Sequence, residues 1–286
     1  MEEPIQLSNE VLRNLQLTEL EMIAEVDRIC RKNRINYSLD GGTLLGAIRH
    51  KGFIPWDDDA DVIFTRHEYA KFYKCCKTDL DTERFFLQEY RTDPGYRWGY
   101  AKLRRKGTDF VRFGQEHTRY KKGVCIDLFV VDNVPDSMLL RRLYYGYNYC
   151  LRKILYSEVG RKQAPNPFLR IWYRLLYLIP RDPVFRARNH FAIKCNRRKT
   201  ELVSHLTHPY PSKATKYGMP SECFEEFIDM EFEGFRFKAF KQYDRYLSLL
   251  YGDYMKLPPA DKRKIHPASK LELLDISIED IRKRYS

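Results

Sequence analysis

The run Gly41-Gly42-Thr43-Leu44-Leu45-Gly46, continued by Gly52-Phe53-Ile54-Pro55-Trp56-Asp57-Asp58-Asp59-Ala60-Asp61-Val62-Ile63-Phe64, decides how this chain is read. It sets four carboxylates within five positions, shortly after a paired-glycine turn. Like charges so crowded repel one another unless a cation or strong donors compensate them, so a divalent metal, Mg²⁺ or Mn²⁺, is expected here. Ile35 to Leu39 reads as a short strand entering the glycine turn, and Thr43 is placed to cap a helix running to about His50. Strand, glycine turn and helix together form a phosphate-binding geometry. Pro55 closes that region, and Asp59 to Phe64 then alternates as a strand whose period of two puts Asp59 and Asp61 on one face. Asp57 and Asp58 precede the strand and read as turn or capping residues, with at most an accessory role for Asp57.

Working outward, apolar residues at helical spacing predict an N-terminal helix from Thr18 to Lys32, opened by the capping box Thr18-Glu19-Leu20-Glu21. A helix is expected over 66–77, and strands over 85–90, 100–105 and 123–131. The last strand carries Asp127 as a single carboxylate amid apolar residues, and such a charge needs a partner or a metal. If that strand lies beside the first, Asp59, Asp61 and Asp127 make a three-carboxylate site for one or two ions that neutralise a diphosphate. Gly41 and Gly42 permit close backbone approach to phosphate, and Thr43 can donate to it. Lys102 and Arg104, two apart on a strand, can face the same diphosphate; Arg263 can add a bidentate contact, and His266 a donor or acid. Arg49 and Lys51 are weaker candidates. Trp56, Trp98 and Tyr100 can enclose a quaternary ammonium, with core or rim packing as the alternative.

The 286 residues, 43% hydrophobic and 31% charged, suffice for a catalytic core with an added subdomain. Seven cysteines without a CxxC pair fit neither a disulfide framework nor a zinc site, which suggests a cytoplasmic setting. Met1 to Pro4 do not read as a signal peptide, and no run reaches the ~20 apolar residues of a membrane span. The net charge of +12 has one source: residues 141–200 hold 15 basic and 2 acidic residues, and the rest of the chain is close to neutral. There, Phe168 to Pro180 interleaves large apolar groups with arginines, which suits peripheral contact with an anionic membrane or, alternatively, a helix packed on the core with a solvated basic face. No recognisable nucleic-acid motif accompanies the charge, so nucleic acid is not expected. Helices are predicted near 136–157, 166–179 and 183–202. The expected organisation is α+β: a nucleotidyltransferase-like mixed sheet core flanked by helices over 1–135, a basic helical insertion over 136–205, and a C-terminal segment over 206–286 that returns to the active site.

The quoted run, taken from Leu39, resembles the signature of the LicD family of phosphocholine transferases, which is related to the fukutin-type ribitol-phosphate transferases. Further matches are Ala101-Lys102-Leu103-Arg104 with Thr108, Ile126-Asp127-Leu128-Phe129, and Tyr251-Gly252-Asp253-Tyr254 with Pro258-Pro259, Arg263 and His266. They span most of the chain; the basic segment is the least matched part. The resemblance implies transfer of a phospho-substituent from a CDP-activated donor, CDP-choline foremost, to a hydroxyl of a surface glycan or glycolipid of lipopolysaccharide, teichoic acid or capsule type, releasing CMP. Ribitol and glycerol remain alternative headgroups. Two other readings stand beside it: a nucleotidyltransferase that acts on a small molecule or sugar phosphate and releases pyrophosphate, and a non-catalytic membrane-surface binding protein. The expected location is cytoplasmic, with a peripheral position at the inner face of the cell membrane open to it.

Overall fold

A computed structural model describes residues 5–205, 210, 215, 217–259, 261, 263 and 265–285; Met1 to Pro4 lie outside them. Helix α1, Asn9–Lys32, starts nine residues before the sequence reading placed it. Its cap is Ser8, whose hydroxyl accepts from the Val11 amide at 3.2 Å, whereas Thr18 sits mid-helix and donates to the Asn14 carbonyl. The apolar stripe of Leu15, Met22, Ile23, Val26 and Ile29 is almost completely buried, so α1 runs through the core.

A mixed sheet packs on it. The strands are β1 (Ser38–Leu39), β2 (Asp61–Thr65), β3 (Phe85–Gln88), β4 (Ala101–Arg105) and β6 (Cys125–Val134), in the order β1-β2-β6-β4-β3. β2 and β6 are parallel, and β4 runs antiparallel to β6. Helices α2 (Gly41–His50) and α3 (Arg66–Asp79) follow β1 and β2. A separate ribbon pairs β5 (Asp109–Arg112) with β11 (Ala268–Glu272). This architecture is the expected α+β class.

The second half is less uniformly helical than the sequence suggested. Helices α4 (Met138–Gln163), α5 (Pro167–Tyr177) and α6 (Arg181–Cys195) end by Cys195, and β7 (Leu202–His205) returns to the sheet beside β6, followed by β8 (Met219–Pro220). The hairpin β9 (Phe227–Phe232) and β10 (Phe235–Phe240) buries Phe232, Phe237 and Phe240 in the main core. Helices α7 (Tyr243–Tyr251) and α8 (Ile278–Tyr285) complete the described elements. The helical segment keeps two small apolar clusters of its own, around Val134, Tyr144 and Ala192 and around Leu151, Leu155, Val184 and Phe185.

A charge cluster locks the ends of the core. Glu21 of α1, almost fully buried, accepts from Arg84 at 2.8 Å and from Arg105 and Arg284 at 2.6 Å. Tight packing also fixes α2: a Cβ on Gly46 would lie 2.4 Å from the Gly52 carbonyl oxygen, a backbone atom that cannot swing aside. Gly46→Ala is therefore expected to lower stability by about 1–3 kcal/mol in urea unfolding; an unchanged midpoint would contradict the packing described.

Candidate active site

Register brings the acidic residues together. On the parallel pair β2 and β6, Asp61 stands opposite Asp127, and on the antiparallel pair β6 and β4, Asp127 stands opposite Lys102. Asp61, Asp127 and Lys102 thus form one row across three strands. The partner expected for Asp127, which is half-buried, is the Lys102 ammonium, which donates directly to its carboxylate. Burial alone would depress the lysine's proton affinity, but the Asp127 charge outweighs it and holds the ammonium charged.

The glycine turn forms the floor of this cluster. Asp40 caps α2, its carboxylate accepting from the Gly41 amide at 2.8 Å and from the buried Tyr246 hydroxyl at 2.5 Å. Gly41 has φ +51°, and a Cβ there would come within 3.5 Å of Asp61 Oδ2 and of the Tyr251 hydroxyl. A Cβ on Gly42 would lie 2.7 Å from Asp57 Oδ2. Gly42 makes room for the Asp57 carboxylate and Gly41 supplies the left-handed backbone at the N-terminus of α2, where the helix dipole favours negative charge. Thr43 differs from expectation. It is buried rather than a helix cap, and its hydroxyl accepts from the Asp61 amide at 2.9 Å, pinning the start of β2.

Asp57 and Asp58 belong to the cluster rather than outside it. Burial and the charges of Asp59 and Asp58 push Asp57 up to about 7. Asp59 is raised by burial and Asp127, against the opposing pull of His266; Asp61 is raised well above its usual range by burial, then by Asp59 and Asp127. Asp58, almost fully buried, accepts from the His266 amide at 2.6 Å. His266 Nδ1 lies 3.2 Å from Asp58 Oδ1 and 3.4 Å from Asp59 Oδ2, and the Asp58 hydrogen bond raises its proton affinity.

These residues open onto a cavity of about 450 Å³. Asp59, Asp127, Lys102, Arg104, His266, Trp98 and Tyr100 all line it, so seven of the candidates meet there. Arg104 is largely committed to structure, donating to Gln88 at 2.6 Å and to the Gly123 carbonyl. Trp56 and Arg263 lie outside the lining, with the guanidinium stacked 4.1 Å over the indole. Arg49 donates to the Tyr254 carbonyl, and Lys51 pairs with Glu231 at the far end of α2.

Several lining residues escaped the sequence reading. Glu19 of α1 is buried beside the cluster and driven well toward its neutral form by burial and by Asp59 and Asp58. A carboxylate inside an apolar helical stripe was the available signal. Arg112 of β5 feels both Asp127 and Asp59 and is held charged; β5 pairs with a strand more than 150 positions later, and nothing local announces that. Arg152, Lys153 and Tyr156 of α4 bring the basic segment into the cavity wall.

The donor set suits a hard divalent cation, since carboxylate oxygens dominate it and Asp57, Asp59 and Asp61 are pushed toward protonation by burial and by neighbouring carboxylates. Among the described residues, the group whose ligand atoms all lie within 4.8 Å of one another is Asp58, Asp59 and His266. Asp61 and Asp57 adjoin it, whereas Asp127 is engaged by Lys102.

An acidic strand row thus stands at a glycine-turn helix terminus in a mixed sheet, an arrangement suited to phosphate chemistry. Residues 34–142 match the family described as LicD/FKTN/FKRP, nucleotidyltransferase domain. Over 264 residues, the chain is 30% identical to the lipopolysaccharide cholinephosphotransferase LicD of Haemophilus influenzae, covering 87% of this chain and 93% of that protein. An uncharacterised protein of Rickettsia typhi is 34% identical over 123 residues, 43% of this chain and 31% of the relative. The chain belongs to the LicD family.

Electrostatics here has a signed consequence for stability. Asp57, raised from 3.8 to about 7, and Asp40, raised to about 6, bind more protons folded than unfolded. Their contribution is fully present below about pH 4 and is lost as pH rises through 6 to 7. Without metal, the melting temperature is therefore expected to carry a falling component between pH 4 and 7, and Mg²⁺ should raise it more at pH 8 than at pH 5. An equal Mg²⁺ shift at both pH values would contradict the cluster's role.

Proposed function

We propose that this protein transfers phosphocholine from CDP-choline to a hydroxyl of a lipopolysaccharide-type glycan, using a divalent cation and releasing CMP. The observation that carries the reading is the acidic cluster opening onto an aromatic-lined cavity, in a chain that covers 93% of a relative named a lipopolysaccharide cholinephosphotransferase. Asp59 and Asp61, with Asp57, Asp58 and His266 around them, would hold the ion. The chemistry such an ion would supply is neutralisation of the diphosphate and of the charge on the departing nucleotide phosphate. Asp127, paired with the Lys102 ammonium and directly beside Asp61, accepts the proton of the attacking hydroxyl. His266, whose proton affinity Asp58 raises, and Arg112 offer cations to the diphosphate. Trp98, Tyr100 and Tyr156 supply ring faces for the trimethylammonium group, each contact worth about 0.5–2 kcal/mol. Trp98 and Tyr156 are 6.0 Å apart, centroid to centroid.

An anionic membrane surface is the second partner of this reading. No described helix is long and apolar enough to cross a bilayer. Helix α5 instead turns Phe168, Ile171, Trp172 and Leu175 to solvent, exposed by 84, 53, 55 and 55%. These positions follow the i, i+3, i+4, i+7 spacing of one helical stripe, flanked by Arg170 and Arg174. At 11 residues α5 is about 16 Å long, suited to lying in the interface. Tyr173 on its inner face meets Tyr156 at 5.7 Å, which joins the exposed stripe to the cavity wall. A peripheral position at the inner face of the cell membrane would bring a lipid-linked acceptor to the site.

Two measurements test this. Purified protein with Mg²⁺, CDP-choline and lipopolysaccharide should release CMP, and Asp61→Asn should cut the rate roughly 10³-fold while far-UV circular dichroism is unchanged. Pyrophosphate release from a nucleoside triphosphate instead would favour the nucleotidyltransferase alternative. In flotation assays, the wild type should rise with phosphatidylglycerol vesicles, less so at high salt, and Trp172→Ser with Phe168→Ser should stay in the pellet; equal flotation of the variant would remove α5 from the account.

A further inference from the structure

A second cavity, of about 330 Å³, lies at the seam between the sheet core and α6. Its lining includes three arginines, Arg66, Arg91 and Arg188, and two of them are neutralised. Arg66 makes a two-pronged pair with the fully buried Asp132, whose oxygens are thereby occupied, one of them also accepting from Asn196. Arg91 likewise grips Glu89 with two nitrogens and stacks 3.6 Å over the Tyr73 ring. Arg188 is only 7% exposed, yet among the described residues it has no ion pair, hydrogen bond or ring contact. Burial and the neighbouring Arg66 charge lower its proton affinity to about 10, with Asp132 only partly compensating from within its own pair. At that value it remains a cation at neutral pH.

A guanidinium carries five donors in a planar fork that matches carboxylate and phosphate oxygens, and leaving it buried without an acceptor is unfavourable. The surrounding walls are aromatic: Tyr90 stacks on Phe185 at 4.5 Å, and Tyr73, Trp98 and Tyr100 add ring surface. Trp98 and Tyr100 also line the catalytic cavity, so these two residues form a shared wall.

We propose that this second cavity is an oxyanion subsite, in which Arg188 binds a carboxylate or phosphate carried by a saccharide, and that the saccharide is part of the acceptor. The acceptor assignment rests on the transfer reading above; the anion site does not. Charge supplied by the ligand compensates Arg188, the aromatic rings pack against the sugar's apolar faces, and the Trp98 and Tyr100 wall sets the distance between the acceptor's anionic group and the reacting hydroxyl.

Calorimetric titration of the full-length protein with glucose 6-phosphate, glucuronate and glucose tests it. The two charged sugars separate phosphate from carboxylate as the bound group, and glucose reports the aromatic contribution alone. Arg188→Met should weaken binding of at least one charged sugar about tenfold or more while leaving glucose unchanged, and Arg188→Lys should recover part of the loss. With no ligand present, Arg188→Met should melt at or above the wild-type temperature, because an uncompensated buried cation has been removed. The proposal is overturned if the wild type binds neither charged sugar, if Arg188→Met binds them as the wild type does, or if Arg188→Met melts lower without ligand, which would make Arg188 a structural cation. Should charged-sugar binding depend on Arg188 while no glycan accepts phosphocholine, the transfer reading fails and the anion site stands.

Discussion

Asp57, Asp59 and Asp61 are each pushed toward protonation by burial and by the carboxylates around them, and the fold has to hold them together against that repulsion. The means are local and rigid. Thr43 pins the Asp61 amide, Asp40 caps α2 and is itself held by Tyr246, and the absence of a side chain at Gly42 leaves room for Asp57. On the other flank, the Asp58 and His266 contact ties the C-terminal part of the chain to the start of β2. A cation bound at the proposed site would relieve that repulsion, and the relief would add to its binding energy.

Lys102 separates two roles within the acidic row. By engaging Asp127 it leaves Asp59 and Asp61 as the carboxylates still seeking positive charge, with Asp58 and His266 close to Asp59. The sequence grouped Asp59, Asp61 and Asp127 as one three-carboxylate site. Cross-strand register sets Asp127 apart, because Lys102 stands opposite Asp127 and not opposite Asp61.

Much of the core was legible because its signals are local: the apolar run around Asp127 and the helical stripe of α1 each lie within a dozen residues or so. The Asp-x-Asp alternation misled in part, because β2 begins only at Asp61 and Asp59 precedes the strand instead of sharing a face of it. What escaped depends on long-range pairing. β5 and β11 are four- and five-residue strands whose partners are distant in sequence, so Arg112 had no context as a site residue. β7 to β10 were hidden after a strongly helical segment, where the helices predicted to 202 in fact stop at Cys195. Glu19 was read as part of a capping box and Asp57 as a turn residue ahead of the strand, because nothing local shows that the two come together with Asp59. The basic segment was visible as charge, but its division into an exposed apolar stripe on α5, cavity residues on α4 and the buried Arg188 on α6 required the tertiary arrangement.

The claim on which the account rests is that the carboxylates at the start of β2 are a divalent-cation site. Electron paramagnetic resonance of Mn²⁺ titrated into the purified protein at neutral pH tests it most directly, since free and bound ion differ in signal. Saturable binding that Mg²⁺ displaces, and that is lost in Asp59→Asn with circular dichroism unchanged, is the predicted result. Equal Mn²⁺ binding by wild type and Asp59→Asn, or none by the wild type, would contradict it.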